Sequence, residues 1–326
     1  MVQEKPNIPE GAKLINLYGG KVRLIFRPDV AQGRYKVTDH ELGLVDKVVR
    51  GVTSAIGDVL DKPSLRTWAL NMSNMAIFGA KFDSKTKEYD HDWSKALIKP
   101  GVEYDDETLH EIMMEGSRQS TLKSDKGKDV GTLAHNAIEQ WLRDEEITFP
   151  EDAQDENLDM ACKSLEAFQK WFAGLEDPEI IDIERTVYSR QMRYAGTFDL
   201  LIKLGRGVNR KTYLFDIKTT NASSSAPMGI YPEMFLQLGA YAYAYKEETG
   251  NQIYDMGIIR VGKDGRLNVA TAKDLGLEND DCQRAFAFAI RLNDWLGHVK
   301  PMLSDARMSS ILNPAQSKVD SEQASK

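Results

Sequence analysis

Residues 194–220, YAGTFDLLIKLGRGVNRKTYLFDIKTT, carry the reading on which the fold turns. Apolar and polar residues alternate on either side of GRGVNR, a period of two that marks two strands, Ala195 to Leu204 and Lys211 to Thr219, joined by a short turn. In FDLLIKL that period sets Asp199, Leu201 and Lys203 on one face and Phe198, Leu200 and Ile202 on the other; in YLFDIKTT it sets Leu214, Asp216 and Lys218 together. A turn symmetric about Gly207 and Val208 pairs residues whose numbers add to 415, which places Asp199 directly opposite Asp216. Two carboxylates with Cβ atoms about 4.5–5.5 Å apart repel unless a cation lies between them. An all-oxygen, carboxylate-rich set suits hard Mg²⁺ or Mn²⁺. Lys218 stands two residues beyond Asp216 on the same face, about 6.6–6.8 Å along the strand, within reach of a water or phosphate oxygen at such a cation. Acid, metal and lysine together make a hydrolytic device. A lone DxK triplet does not, because such triplets are usually exposed ion pairs on a sheet.

Outward from this hairpin, the period-two pattern continues upstream from Ile180 to Arg190, so three strands form an antiparallel meander. Before it the spacing turns helical over Val130 to Arg143 and Leu158 to Phe172, and His135 sits on the margin of the first helix's apolar stripe, near Ile138 and Leu142. After it a helix covers Tyr231 to Glu247, with Gln237 and Tyr241 four apart and hence on one face. A strand from Tyr254 to Val261, a short strand near Leu267 and a helix from Asp280 to Trp295 follow. Taken singly, His135, Gln237 and Tyr241 are ordinary core and rim residues.

Further upstream, KLINLY and KVRLIF around Gly19 and Gly20 predict a β-hairpin between Lys13 and Val37. Two packing helices are expected from Gly51 to Ala80, the second opened by Pro63. The polar stretch from Lys81 to Asp106 reads as an insertion or flexible connection, and helical spacing resumes at Leu109, Ile112 and Met113. The organisation expected is a disordered tail over 1–12, a hairpin and helical region over 13–125, a catalytic core over 126–305 and a second disordered tail over 306–326.

The net charge of −8 argues against a protein that coats nucleic acid, since that activity rests on many lysines and arginines displacing counterions. Locally the sign reverses: Arg185 to Lys218 holds eight basic and two acidic residues, which makes Arg190, Arg193, Arg206 and Arg210 candidate phosphate contacts. The plain alternative is a solvated hairpin edge. Two cysteines, Cys162 and Cys282, exclude a disulfide framework and a four-cysteine iron–sulfur cluster. No apolar run of membrane-spanning length, signal peptide or P-loop is read from the sequence, so a soluble, cytoplasmic protein without membrane contact is expected.

In order, GTLAHNAIEQWL (131–142), YAGTFDLLIKL (194–204), YLFDIKTT (213–220) and MFLQLGAYAYAY (234–245) resemble the successive motifs of RecB-like nucleases in the PD-(D/E)XK superfamily: a GxxxH helix, a GxxD strand, a DxK strand and a QxxxY helix. The upstream VTSAIGDVLDKPSLRTWA (52–69) is similar to the lead-in helices of phage-encoded and mitochondrial genome maintenance exonucleases. This resemblance implies an α/β (α+β) fold with a restriction-endonuclease-like core, a central mixed β-sheet flanked by helices, behind a mainly helical N-terminal extension. It further implies a metal held by His135, Asp199, Asp216 and the backbone carbonyl of Ile217, with Lys218 at the attacking water and Gln237 and Tyr241 positioning the scissile strand and the lysine. Glu184 is either a further acid or a strand-edge partner of Arg185 or Arg193. The activity implied is a metal-dependent DNA exonuclease of phage or bacterial recombination, replication or repair, acting on single strands or duplex ends. A structure-specific endonuclease and a non-catalytic DNA-binding protein of the same fold are the competing readings. The intact acids and Lys218 argue against the second.

Overall fold

The computed structural model describes residues 8–28, 30, 33–83, 86, 88–220 and 228–304. Of the tails expected to be disordered, residues 1–7 and 306–326 lie outside that set. The chain opens with β1 (Lys13–Leu17) and β2 (Val22–Phe26), an antiparallel pair around Gly19 and Gly20 as the alternation predicts. β3 (Tyr35–Asp39) and β4 (Leu44–Gly51) extend the pairing, so the N-terminal region carries more strand than the mainly helical extension expected. The cause is local burial: Tyr35, Val37 and Val49 share one apolar cluster with Leu17, Val22 and Leu24.

α1 (Val52–Gly57) and α2 (Pro63–Phe78) follow, with Pro63 in the first turn, where its missing N–H is no loss. Within the polar stretch read as an insertion or flexible connection, β5 (Ala80–Asp83) pairs with β6 (Glu88–His91) as a separate two-stranded sheet. α3 (Asp106–Leu142) is one unbroken helix of 37 residues, about 55 Å long, where the periodicity predicts two. Its apolar stripe lapses in the middle, but no proline interrupts it. The Gln119 side chain donates to Glu115 at 2.7 Å, a helical neighbour pair that supports those turns.

α4 (Asp155–Ala173) leads into the meander β7 (Glu179–Ser189), β8 (Tyr194–Leu204) and β9 (Lys211–Thr220), antiparallel throughout. α5 (Pro232–Thr249), β10 (Asp255–Gly262), β11 (Leu267–Thr271) and α6 (Asn279–Ser304) complete the described chain. Among the described residues nine strands form one mixed sheet, in the order β1, β2, β3, β4, β8, β9, β10, β11, with β7 on β8. α3 and α4 cover one face through Ala137, Ile138, Phe168, Leu200 and Phe215. α1, α5 and α6 cover the other through Val52, Leu238, Phe286, Leu201 and Leu214. The result is a three-layer α/β fold of the restriction-endonuclease-like kind.

The register of the decisive hairpin is the expected one: Leu200 stands opposite Phe215, Leu201 opposite Leu214 and Ile202 opposite Tyr213. One side chain departs from strict alternation. Phe198 packs on α5 against Tyr241 and Tyr245, ring centroids 6.4 and 6.2 Å apart, on the side of Leu201 rather than of Leu200 and Ile202. The pleat breaks between Phe198 and Leu200, where the facing β7 residue, Glu184, has a left-handed φ of 52°.

The sheet also forks at this place. β7 runs along one edge of β8 for its whole length, while the other edge is shared. β4 pairs there at Tyr194 and Ala195, and β9 pairs only from Leu200 onward. Residues 196–199 therefore line a gap between two diverging strands. The DxK and GxxD motifs meet at that gap.

Candidate active site

At the fork Asp199 turns its carboxylate across the gap, where Oδ2 accepts the backbone N–H of Ile217 at 2.5 Å. A side chain thus replaces the ladder bond that the parting strands no longer make. The same oxygen lies 3.3 Å from His135 Nε2, delivered by α3. Gly131, the first residue of GxxxH, permits that approach: a Cβ there would stand 2.8 Å from Thr219 Oγ1 on β9. Gly196, the first residue of GxxD, does the same for α5, since a Cβ would meet Tyr241 Cε1 at 2.5 Å.

Asp216, 1% exposed, has Lys218 Nζ at 2.6 Å from Oδ2, while its Oδ1 is buried and accepts no hydrogen bond. Burial pushes its pKa up to about 6, with Lys218 opposing and Asp199 adding to the rise. Glu184 Oε1 lies 3.4 Å from His135 Nε2 and is likewise buried without a hydrogen bond. Burial, then the Asp199 charge, pushes Glu184 up to about 8. Burial disfavours charged His135, but Asp199 and then Glu184 outweigh it and push its pKa up to about 9. For Asp199 burial opposes ionisation, and His135 together with Lys218 overcomes it and holds the carboxyl below its ordinary value. Lys218 stays charged: burial opposes this, and Asp216 and Asp199 override it.

The donor set fits a divalent cation. Buried carboxylate oxygens without hydrogen-bond partners, two acids pushed upward and an acid pair across a strand gap are what such an ion would relieve. Asp199, Asp216, His135 and Glu184 are residues that could hold it. Glu139, one turn beyond His135 on α3, brings a ligand atom within 4.8 Å of those of His135 and Glu184. It is absent from the sequence expectation, although the spacing of four on one helix face was there to read.

Gln237 and Tyr241 meet as expected, with Gln237 Nε2 donating to the Tyr241 hydroxyl at 2.6 Å. Burial holds the phenol well above its ordinary value, so Tyr241 keeps its proton. Both face a cleft of about 430 Å³ that also touches Glu184, Thr197 and Tyr35. Tyr35 comes from β3 and reaches Thr197 Oγ1 at 3.4 Å; no local sequence signal links it to the site. Arg260 is another unforeseen member, buried and in register with Lys218 on the parallel neighbour β10. A charge interrupting the apolar run MGIIRVG could have marked it, by the same logic that marked the two aspartates.

The four arginines are not gathered at the fork. Arg190 forks onto Asp39, both hydrogen bonds at 2.6 Å, and reaches Glu41 at 2.9 Å. Arg193 lies beyond the end of β7 and lines a surface cavity together with Asp294. Arg206 and Arg210 sit at the far tip of the β8–β9 hairpin, facing Glu176 at 3.9 Å and Glu179 at 2.6 Å respectively.

The family model of the PD-(D/E)XK nuclease superfamily matches residues 106–307. No match is found among the curated proteins. Among solved structures the chain is similar to the crystal structure of SSO0001, with 14% identity and a TM-score of 0.23 over 49% of this chain and 74% of that one, too slight a likeness to bear on the chemistry. Among the described residues, no helix is long and apolar enough to cross a membrane.

Proposed function

Because the chain belongs to the PD-(D/E)XK nuclease superfamily, we propose that it hydrolyses DNA phosphodiesters as a Mg²⁺- or Mn²⁺-dependent exonuclease, on single strands or duplex ends, in recombination, replication or repair. The observation that carries this reading is Asp216, buried, short of hydrogen bonds and paired to a single lysine across the fork from Asp199. A divalent cation held by these acids would acidify the attacking water and neutralise charge on the phosphoryl oxygens. The chain's own groups do the rest. Lys218 keeps its ammonium and has donors to spare beyond Asp216, so it can orient the nucleophile or bind a phosphate oxygen in the transition state. Tyr241, protonated and held by Gln237, offers a fixed hydroxyl in the adjoining cleft. His135, against Asp199 and Glu184 at 3.3 and 3.4 Å, would orient the Asp199 carboxylate and offer a further ligand to the cation.

The test compares a linear single-stranded DNA with a covalently closed circle, in Mg²⁺ and then in Mn²⁺. The reading predicts loss of the linear strand, survival of the circle and arrest in excess EDTA. Cutting of the circle at the same rate would make the protein an endonuclease. Cleavage undiminished in EDTA would overturn the metal mechanism.

A further inference from the structure

Beside the fork, on the α3 side, lies a groove of about 730 Å³. Trp68 of α2 lines it, with Lys123 and Lys128 of α3, and with Lys218 and Lys263 at the ends of β9 and β10. Among the described residues that line it none is acidic, although the chain as a whole carries a net charge of −8. Concentrated positive charge on an acidic protein calls for an anionic occupant. The wall is also built rather than incidental. Lys263 Nζ donates to the Gly127 carbonyl at 2.9 Å, which fixes its ammonium against α3. Gly131 leaves that wall without a side chain, and the groove ends at His135 and Lys218, the edge of the acid cluster. Trp68 presents a 37% exposed indole among these lysines, and polar solubility does not require one there.

We propose that this groove holds an unpaired nucleic-acid strand, with phosphates on Lys123, Lys128 and Lys263 and a base stacked on Trp68, and feeds that strand to Asp199 and Asp216. The last part rests on the nuclease reading above. An unpaired strand is favoured over a duplex because stacking on Trp68 needs a free base face, whereas a duplex offers the groove only its backbone. The arginines at the hairpin tip are ion-paired to Glu176, Asp177 and Glu179; in the groove Lys128 pairs with Asp125 at 2.9 Å, but Asp125 is not among the described residues that line it.

Fluorescence anisotropy in EDTA, with a labelled oligothymidylate and a labelled blunt duplex, tests the groove without requiring cleavage. Trp68→Ala is expected to weaken oligothymidylate binding roughly ten- to a hundred-fold, the range for one stacked base, and to leave the duplex nearly unaffected. Lys123→Ala combined with Lys128→Ala should flatten the salt dependence by about 0.7 in log–log slope for each phosphate the chain no longer neutralises. Arg206→Ala with Arg210→Ala should change both quantities less. Unchanged affinity and slope in the groove variants, or an equal loss for strand and duplex, would overturn the proposal. Should a variant fail to fold, photocrosslinking of a bromouracil-substituted strand to the wild-type chain decides. Adducts on Trp68 or on residues 123–131 support the groove, and adducts confined to residues 205–210 refute it. A chain that binds as described yet cleaves nothing would sink the nuclease reading alone.

Discussion

Asp39 and Asp216 are both shut away from solvent, yet one is held charged and the other is pushed toward its neutral form. Asp39 accepts two hydrogen bonds from the Arg190 guanidinium, at 2.6 Å each, and two more from the backbone N–H groups of Glu41 and Leu42. Arg190 outweighs the burial, and the carboxyl lies below its ordinary value. Asp216 has one lysine and an oxygen with no hydrogen bond, and burial wins. A buried acid that is fully satisfied ties structure together. One that is left short, facing a second acid, is poised for a cation.

The largest effect should come from Asp216→Asn. Cleavage should drop by three decades or more, about 4 kcal/mol of transition-state stabilisation, while the metal-free melting temperature stays level or rises because a repelling charge has gone. A large fall in melting temperature would make Asp216 a second Asp39. Lys218→Ala should cost about two decades, or about 2.7 kcal/mol, in single-turnover cleavage with saturating enzyme, a regime that isolates chemistry from binding and release. A wild-type rate there would reduce Lys218 to a charge partner. Asp39→Asn should behave in the opposite manner, losing about 2 kcal/mol of stability with no change in cleavage per folded molecule. Chemical denaturation beside an activity assay reads both.

The smallest effect separates the two acids by pH. Asp39 is depressed in the folded state, so its contribution is complete above the unfolded carboxyl range of about 4 and is lost as pH falls through the lower folded value. Asp216 and Glu184 are raised, to about 6 and about 8. Their contribution is complete below the unfolded range and is lost as pH rises through those values, and His135, raised to about 9, adds to the loss in the same direction. In EDTA the melting temperature should therefore fall by roughly a few degrees from pH 5 to pH 8, and Asp216→Asn should shrink that fall. An equal fall in the variant would remove Asp216 from the explanation.

What could be read from the sequence follows from which forces are local. The register of β8 and β9 depends on a symmetric turn and period-two alternation, and the ladder keeps it from Leu200 to Leu204. The face of Phe198 could not be read, because the break in the pleat lies opposite Glu184, whose left-handed backbone belongs to the neighbouring strand. The continuity of α3 was hidden because its middle lacks an apolar stripe, although it also lacks a breaker. Glu139 and Arg260 were within reach of spacing rules already applied nearby. Tyr35 and Trp68 were not, since packing brings them to the fork and its groove from the N-terminal sheet and α2.

The central claim, that the acids left short at the fork form a cation site, is tested most directly by calorimetric titration of Mn²⁺ into the wild-type chain and into Asp216→Asn at neutral pH. The account predicts saturable binding to the wild type, at least tenfold weaker in the variant, with affinity rising with pH as protons leave the same carboxylates. Equal affinity in the two proteins, or no binding to either, would contradict it.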